Sequence, residues 1–547
     1  MKKQLAMLLT AAVVMGLSAC GSSDTATESS AAGAESAGTA ETEAAGDAEA
    51  SESGSDTAAQ GDQVLRVVQP NDPGTFEPGR TDEQSYQRIV QQIYDTLTRF
   101  DQNGEVVPSL AESWEMLDET HWQFNLREGV KFSDGSDFTA NDVLFTIRHN
   151  IEENLPNAHY NMIDIDNCTA EDDHTVILAL KYPCVTLPNH LANGQCVIAS
   201  EKAYEEFGGD YINGAAVGTG AYKLVSYTQG DMIKLTANEY YWKADEGKPY
   251  IKDVEMRVIA STDASATEAK TGAYDILIGT NTREFENIEA TDGMHMELTP
   301  TAKTIYLLMN CKKAPMDDVR VREAFARAID IKTTVELAYG STGRPAEAFI
   351  TPGILGSNSE TYKKYFGEGR DIETAKALLA EAGYADGIDL EITVESPDTQ
   401  RCDMAEAMQA QVAEAGINLS INKMDYATIK EYLSQGNHQI CIYGFTANTM
   451  EADGFLNQLQ PGSDALNRIG YDNQEFFDRY QEGCAEPDRE ARGQIWEDCL
   501  EMLMEDYVAV PLSHYQLHVA VNDRIEGYWA PQDYEELFYE DFSIKAE

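Results

Sequence analysis

Apolar and polar residues alternate through HWQFNLREGVKF, residues 121–132, with Trp122, Phe124 and Leu126 and then Val130 and Phe132 on one side. A period of two predicts half-buried strands. The SDGS that follows, residues 133–136, is turn chemistry. TAND then sets Thr139 three positions before Asp142, a capping box heading a helix with Val143 and Ile147 on one face. Further on the period lengthens. Residues 318–330 put Val321, Phe325, Ala328 and Ile329 on one helical face. DIETAKALLAEAGY takes Asp371 as its cap and ends at Gly383, before the strand IDLEITV; DMAEAMQAQVAEAG, residues 403–416, ends at Gly416 before INLSI. A glycine after the last turn supplies the left-handed conformation that stops a helix. Two helix–glycine–strand units in succession predict an α/β lobe with helices packed on a sheet.

Two strand-like segments bracket that lobe, KTIYLLMN at 303–310 and YVAVPLSHYQLHVAV at 507–521. If both cross between lobes, the second lobe is one continuous insert and the chain returns to finish the first, with a hinge between them. Size agrees, since the stretch 63–547 far exceeds the roughly 250–300 residues at which a single core stops growing.

The beginning of the chain reads differently. Lys2 and Lys3 precede an apolar run over 5–17, too short for the roughly 20 residues of a membrane crossing and patterned as a secretory signal. Its close, LSAC, resembles the bacterial lipoprotein signal, which implies that the thiol of Cys20 is acylated and becomes the mature N-terminus. At about 0.8 kcal/mol per buried methylene, two or more acyl chains hold a protein stably on a membrane. Residues 21–62 contain no aromatic residue, no Leu, Ile or Val, and no Lys or Arg. Such a stretch cannot bury enough apolar surface to offset its chain entropy, so a disordered acidic linker is expected there.

With 94 acidic against 40 basic residues the net charge is −54, which argues against nucleic acid, whose phosphates need Lys and Arg. The eight cysteines after Cys20 are scattered from Cys168 to Cys499 without a CxxC, so mostly free thiols are expected and no metal site is indicated. GxSxG and HExxH are absent. SINK at 420–423 and KTG at 270–272 come in the wrong order for a penicillin-binding set. HYQLH, 514–518, could bring His514 and His518 to one side of a strand, but no third ligand accompanies them. The expectation is a non-enzyme with no cofactor.

A series of stretches then carries a resemblance: PSLAESWE at 108–115, FNLREGVKFSDGSDFTANDVLFTI at 124–147, VGTGAYKLVSY at 217–227, ANEYYW at 237–242, AYDI at 273–276, DDVRVREAFARAID at 317–330 and AKALLAEAGY at 375–384. In this order they are similar to the extracytoplasmic solute-binding proteins of family 5, the dipeptide and oligopeptide receptors of ABC importers. The resemblance implies an α/β, two-lobed periplasmic-binding-protein-like fold (type II, with an extra subdomain in lobe I) whose hinge closes on a peptide. It divides the chain into a signal at 1–19, a lipid-anchored linker at 20–62, lobe I at 63–303 and 513–547, and lobe II at 304–512. The partners implied are a peptide ligand, importer permeases and, through the lipid alone, a membrane; the protein is expected to be extracytoplasmic and monomeric. Relatives of this fold also take nickel chelates, haem, glutathione or sugar-like solutes, and a sensor without import is a further alternative.

In the family's peptide binders an acid receives the ligand's amino group three residues after an aromatic. Here Phe445 fits the aromatic, Thr446 follows it, and Asn448 stands at the acid's place, with Glu451 or Asp453 as substitutes. Arg401, at a helix head, is the candidate for the ligand's carboxylate. Phe76, in PNDPGTFEP at 70–78, and Tyr515, on the returning strand, are candidate walls.

Overall fold

The computed structural model describes residues 64–545, apart from 82, 281, 368, 397 and 531–536. The expected signal, Cys20 and the linker lie outside the described residues.

Among the described residues ten strands form one sheet, in spatial order Ile417–Met424, Ile388–Glu395, Ile440–Thr446, Met294–Met309, Ala509–Asn522, Ile276–Ile278, Val64–Gln69, Asp253–Val258, Met232–Ala237 and Tyr222–Thr228. The two long strands at its centre tie the halves together. Met294–Met309 pairs antiparallel with Ala509–Asn522 nearly end to end, with a break in register between Pro300 and Thr304. Beyond that break Lys303 to Met309 pair with Ile440–Thr446, while the far part of the partner, Val519 to Val521, pairs with Ile276–Ile278. The two segments expected to bracket a lobe are therefore these strands, and the first begins nine positions earlier than its apolar pattern, at Met294.

Side chains alternate across this sheet into separate cores. Ile305, Leu307 and Met309 join Val321, Phe325, Leu390, Ile392, Ile417 and Leu419 on one face. Tyr306 and Leu308 join Phe349, Phe445, Phe455 and Trp496 on the other. In the first lobe Leu65 and Val67 pack with Ile276 and Val519, and Val68 turns to Leu277 and Ala520. A four-stranded sheet, Ala111–Asp118, His121–Leu126, Thr175–Ala179 and Thr169–Asp172, carries its own core of Phe124, Phe132, Val143, Ile147 and Val176; it is the extra subdomain of the first lobe.

Local rules place the helix ends. The Thr139–Asp142 capping box heads Ala140–Glu152, and the Asp371 side chain accepts from Thr374 N at the start of Ile372–Glu381. Gly383 and Gly416 have φ of 95° and 86°, the left-handed values that any Cβ would strain. Two expectations shift. The helix expected from Asp403 begins at Thr399, because Asp398 caps it, and this puts Arg401 in its first turn. Val130 and Phe132 are buried, but outside any strand: Lys131 makes only a single bridge to Asp137, because Phe132 N bonds Ser136 O and Gly135 N bonds Phe132 O, closing a tight turn that leaves no room for a ladder.

Serine and lysine of SINK lie on the strand Ile417–Met424, and KTG follows the helix Thr262–Ala269. His514 Nδ1 is 3.0 Å from Thr304 Oγ1 and its Nε2 accepts from Glu347 N at 3.2 Å, so it is a satisfied interior histidine. All eight cysteines of the described residues are free. No helix among the described residues is long and apolar enough to cross a membrane.

Candidate functional site

A cavity of about 200 Å³ opens beside the edge of the central strands, lined by Glu83 and Gln84 of the first lobe and by Lys303, Glu395, Arg401, Tyr443, Gly444, Phe445, Thr446, Gln458 and Arg468. Its floor follows from sheet register: Lys303 is paired with Thr446, and Thr304 with Phe445. Phe445 is held in an aromatic cluster, 5.5 Å from both Tyr443 and Phe455 and 6.2 Å from Tyr306 between ring centroids.

Charge concentrates on one wall. Arg401 Nη1 lies 3.0 Å from Glu395 Oε2, and its Nε 3.0 Å from Asp398 Oδ2. Burial raises the Glu395 carboxyl above its ordinary value, against the pull of Arg401. Tyr443 lies between two guanidinium groups, Arg468 at 4.2 Å and Arg401 at 5.8 Å from its ring centroid, distances at which the ring quadrupole attracts a cation. Lys303 Nζ stands 4.7 Å over the Tyr515 ring. Three cations and two carboxylates around so small a space suit a ligand that carries charge.

A second polar cluster links segments far apart in the sequence. Thr186 Oγ1 donates to Asp453 Oδ2 at 2.5 Å, Asn189 Nδ2 donates to the Thr449 carbonyl at 2.8 Å, and Thr449 Oγ1 donates to Asp453 Oδ1. His190 Nε2 is 3.3 Å from Asp453 Oδ2. Burial is the largest single influence and works against charge on His190, but Asp453 and Cys184 together outweigh it and raise the imidazole to about 10. A protonated imidazole carries hydrogens on both nitrogens, so His190 Nδ1 donates to His159 Nδ1, 3.0 Å away. Burial, together with the charge on His190, lowers His159 to about 3. The other nitrogen of His159, Nε2, lies 3.1 Å from Asn448 Nδ2.

The residues predicted from sequence divide accordingly. Arg401, Phe445 and Thr446 line the cavity, and Tyr515 borders it through Lys303. Asn448 and Asp453 belong to the second polar cluster. Glu451 is buried against Arg492, at 2.8 and 2.7 Å, and against Trp496 Nε1 at 3.1 Å, so its carboxylate is already engaged. Phe76 is fully buried in the first-lobe core, edge-on to Tyr227 at 5.1 Å. Sequence reasoning missed Lys303, Glu395, Tyr443, Gln458 and Arg468 as lining residues. Lys303 and Tyr443 lay in segments singled out for other reasons; Arg468 carries no local signal.

Two α/β lobes joined by long crossing strands, with a charged cleft beside them, define a solute-binding protein of the type that receives ligands outside the cytoplasm. The chain belongs to family 5 of the bacterial extracellular solute-binding proteins, whose sequence model matches residues 105–467; members of this family serve ABC importers. Heme-binding protein A of Haemophilus influenzae is 24% identical over 478 residues, covering 81% of this chain and 85% of that protein. Glutathione-binding protein GsiB of Escherichia coli K12 is 25% identical over 470 residues, covering 84% and 90%. Among solved structures, the periplasmic binding protein DppA of Helicobacter pylori in complex with the peptide STSA superposes with a TM-score of 0.77 at 23% identity, over 88% of this chain and 98% of that one.

Proposed function

We propose that this protein is a lipid-anchored extracytoplasmic receptor that binds a short peptide between its lobes and hands it to an ABC importer, without chemical turnover. The observation that carries the reading is the cleft itself: main-chain edges at Gly444 and Thr446, an aromatic wall at Tyr443 and Phe445, and charges of both signs. Extended peptides are held by main-chain hydrogen bonds along the backbone, with pockets for side chains and charged groups for the termini. A volume of about 200 Å³ falls below the roughly 300–1,000 Å³ of pockets for drug-sized ligands, which favours peptides of two or three residues over long ones. The break in register between Pro300 and Thr304 supports a hinge at that point of the central strands. Cys20 supplies the anchor, and the linker after it gives freedom to load and dock.

A second reading keeps the receptor and changes the solute. Asn448 brings no charge to the position where an amine would be received, and its side chain meets His159. A ligand without a free amine, of the kind named for heme-binding protein A, suits that arrangement.

Thermal denaturation of the ligand-stripped, refolded protein against di- to pentapeptides, their N-acetylated forms, glutathione and haem tests both. A ligand at about 100 times Kd adds roughly 2.7 kcal/mol, a readily measured shift. Stabilisation by di- and tripeptides supports the first reading; stabilisation only by glutathione or haem replaces it with the second. Labelling cells with an alkyne fatty acid, with Cys20→Ser as control, tests the anchor: label retained in the variant refutes it.

A further inference from the structure

Arg468 is over nine-tenths buried, lines the cleft cavity, and has no carboxylate partner among the described residues; its Nε makes no hydrogen bond. Three other buried guanidinium groups have ion-pair or carbonyl partners. Arg492 lies on Glu451 at 2.7 and 2.8 Å, Arg401 on Glu395 and Asp398, and Arg322 on the Asp506 and Met316 carbonyls at 2.8 and 2.7 Å. A buried cation without a partner is strongly disfavoured, and a guanidinium is never neutral in a protein. The wall around Arg468 makes the anomaly sharper. Arg401, the neighbouring cation, already has two acids. The ring of Tyr443 lies against the Arg468 guanidinium at 4.2 Å, and both residues line the cavity. Its backbone is pinned as well, since His438 Nε2 donates to the Arg468 carbonyl at 2.7 Å. In a chain with 94 acidic and 40 basic residues, a held and uncompensated positive charge at a cavity wall is a position where a ligand's negative charge completes the structure.

We propose that Arg468 is the anion-reading residue of this cleft: it receives a carboxylate of the ligand through two parallel N–H···O bonds, so that the ligand is recognised by its acid end and its amine is not required. Resting on the receptor reading, this names the ligand class as small carboxylates, a peptide's C-terminus or an acidic side chain, seated against Tyr443 with Lys303 and Gln458 alongside. Planar, two-point recognition of a carboxylate is what a guanidinium does and an ammonium does not.

The test uses titration calorimetry on the refolded, full-length protein and on its Arg468→Met and Arg468→Lys variants, each checked for an unchanged melting profile. The probes are trialanine, trialanine amide and Ala-Glu-Ala amide. In the wild type, amidation of trialanine is expected to weaken binding by about 30-fold or more, the cost of losing one partner of a buried charge pair. Recovery with Ala-Glu-Ala amide assigns the carboxylate to a side chain, and no recovery assigns it to the C-terminus. In Arg468→Met the ratio between acid and amide should fall to near unity, and Arg468→Lys should restore part of it. Acid and amide binding alike in the wild type, or a ratio unchanged in Arg468→Met, overturns the proposal while leaving the peptide receptor standing. Should no peptide bind, N-acetylalanine and N-acetylalaninamide at millimolar concentration decide the matter through the arginine Nε–H resonances, with Arg468 assigned by its disappearance in the Met variant. A shift with the acid alone upholds Arg468 although the peptide reading has failed; no shift overturns both.

Discussion

His190 Nε2 stands 3.3 Å from Asp453 Oδ2 with both side chains 1% exposed, and the two lie far apart in the sequence. Burial opposes charge on both, yet Asp453 and Cys184 together raise the imidazole from 6.5 to about 10, and His190, Thr186 and Thr449 lower the carboxyl from 3.8. A raised histidine contributes stability that is complete below its unfolded value and is lost as pH climbs to the folded one; a lowered aspartate contributes above its unfolded value and loses it as pH falls. The contribution is therefore full between 3.8 and 6.5. Urea unfolding should show the wild type losing stability from pH 6.5 to about 10, relative to His190→Gln. That variant should be less stable by about 3–5 kcal/mol at pH 6, the cost of breaking a buried pair. Parallel pH profiles for the two proteins would contradict the assignment.

Glu451 is tied to Arg492 and Trp496 and takes no part in the cleft. Glu451→Gln should destabilise the fold by about 3–5 kcal/mol, because it leaves a buried guanidinium uncompensated. Ligand affinity of the folded fraction should stay within a factor of about two. A large loss of affinity at unchanged stability would instead put Glu451 in the site.

The Asn448 amide is buried against His159 and brings no charge, so N-acetylation of a bound peptide should change its Kd by less than about threefold. Asn448→Ala should cost about 1–3 kcal/mol, as expected when a buried hydrogen-bonding group loses its partner, with the same indifference to acetylation. Calorimetry with paired free and acetylated tripeptides checks both statements.

Tyr443 underlies two guanidinium groups. Tyr443→Leu should weaken ligand binding by about 0.5–2 kcal/mol through loss of cation–π support, while leaving the unfolding midpoint nearly unchanged, since the ring is only half-buried. An unfolding midpoint that falls with no change in affinity would make the ring a packing element instead.

Much of the fold was legible because the signals are short-range. Thr139 and Asp142 are three positions apart and cap their helix whatever surrounds them. Gly383 and Gly416 stop helices through their own φ. The alternation of Trp122, Phe124 and Leu126 survives because one face of that strand is buried. Val130 and Phe132 share the period, but their turn follows too closely for a ladder; burial set the pattern and the strand did not form. The helix ahead of Gly416 was read four residues short because Thr399 to Cys402 carry no apolar period, and only the Asp398 cap, bonded to Arg401 N, defines its start.

The site divides along the same line. The sequence alone determined the class of protein and pointed to the two long central strands and to Arg401, Phe445 and Thr446, which line the cavity and sit on or beside elements with strong local patterns. Tertiary structure alone decided the rest. Phe76 and Glu451 look like site residues in a linear chain and prove to be interior ones, since burial depends on what the rest of the chain brings against them. Arg468 looks like any arginine until the sheet edge, the helix Asp464–Ile469 and the Tyr443 ring converge, leaving it surrounded and without an acid. Periodicity records which face of an element is covered; it holds no record of which distant charges the cover leaves unmatched.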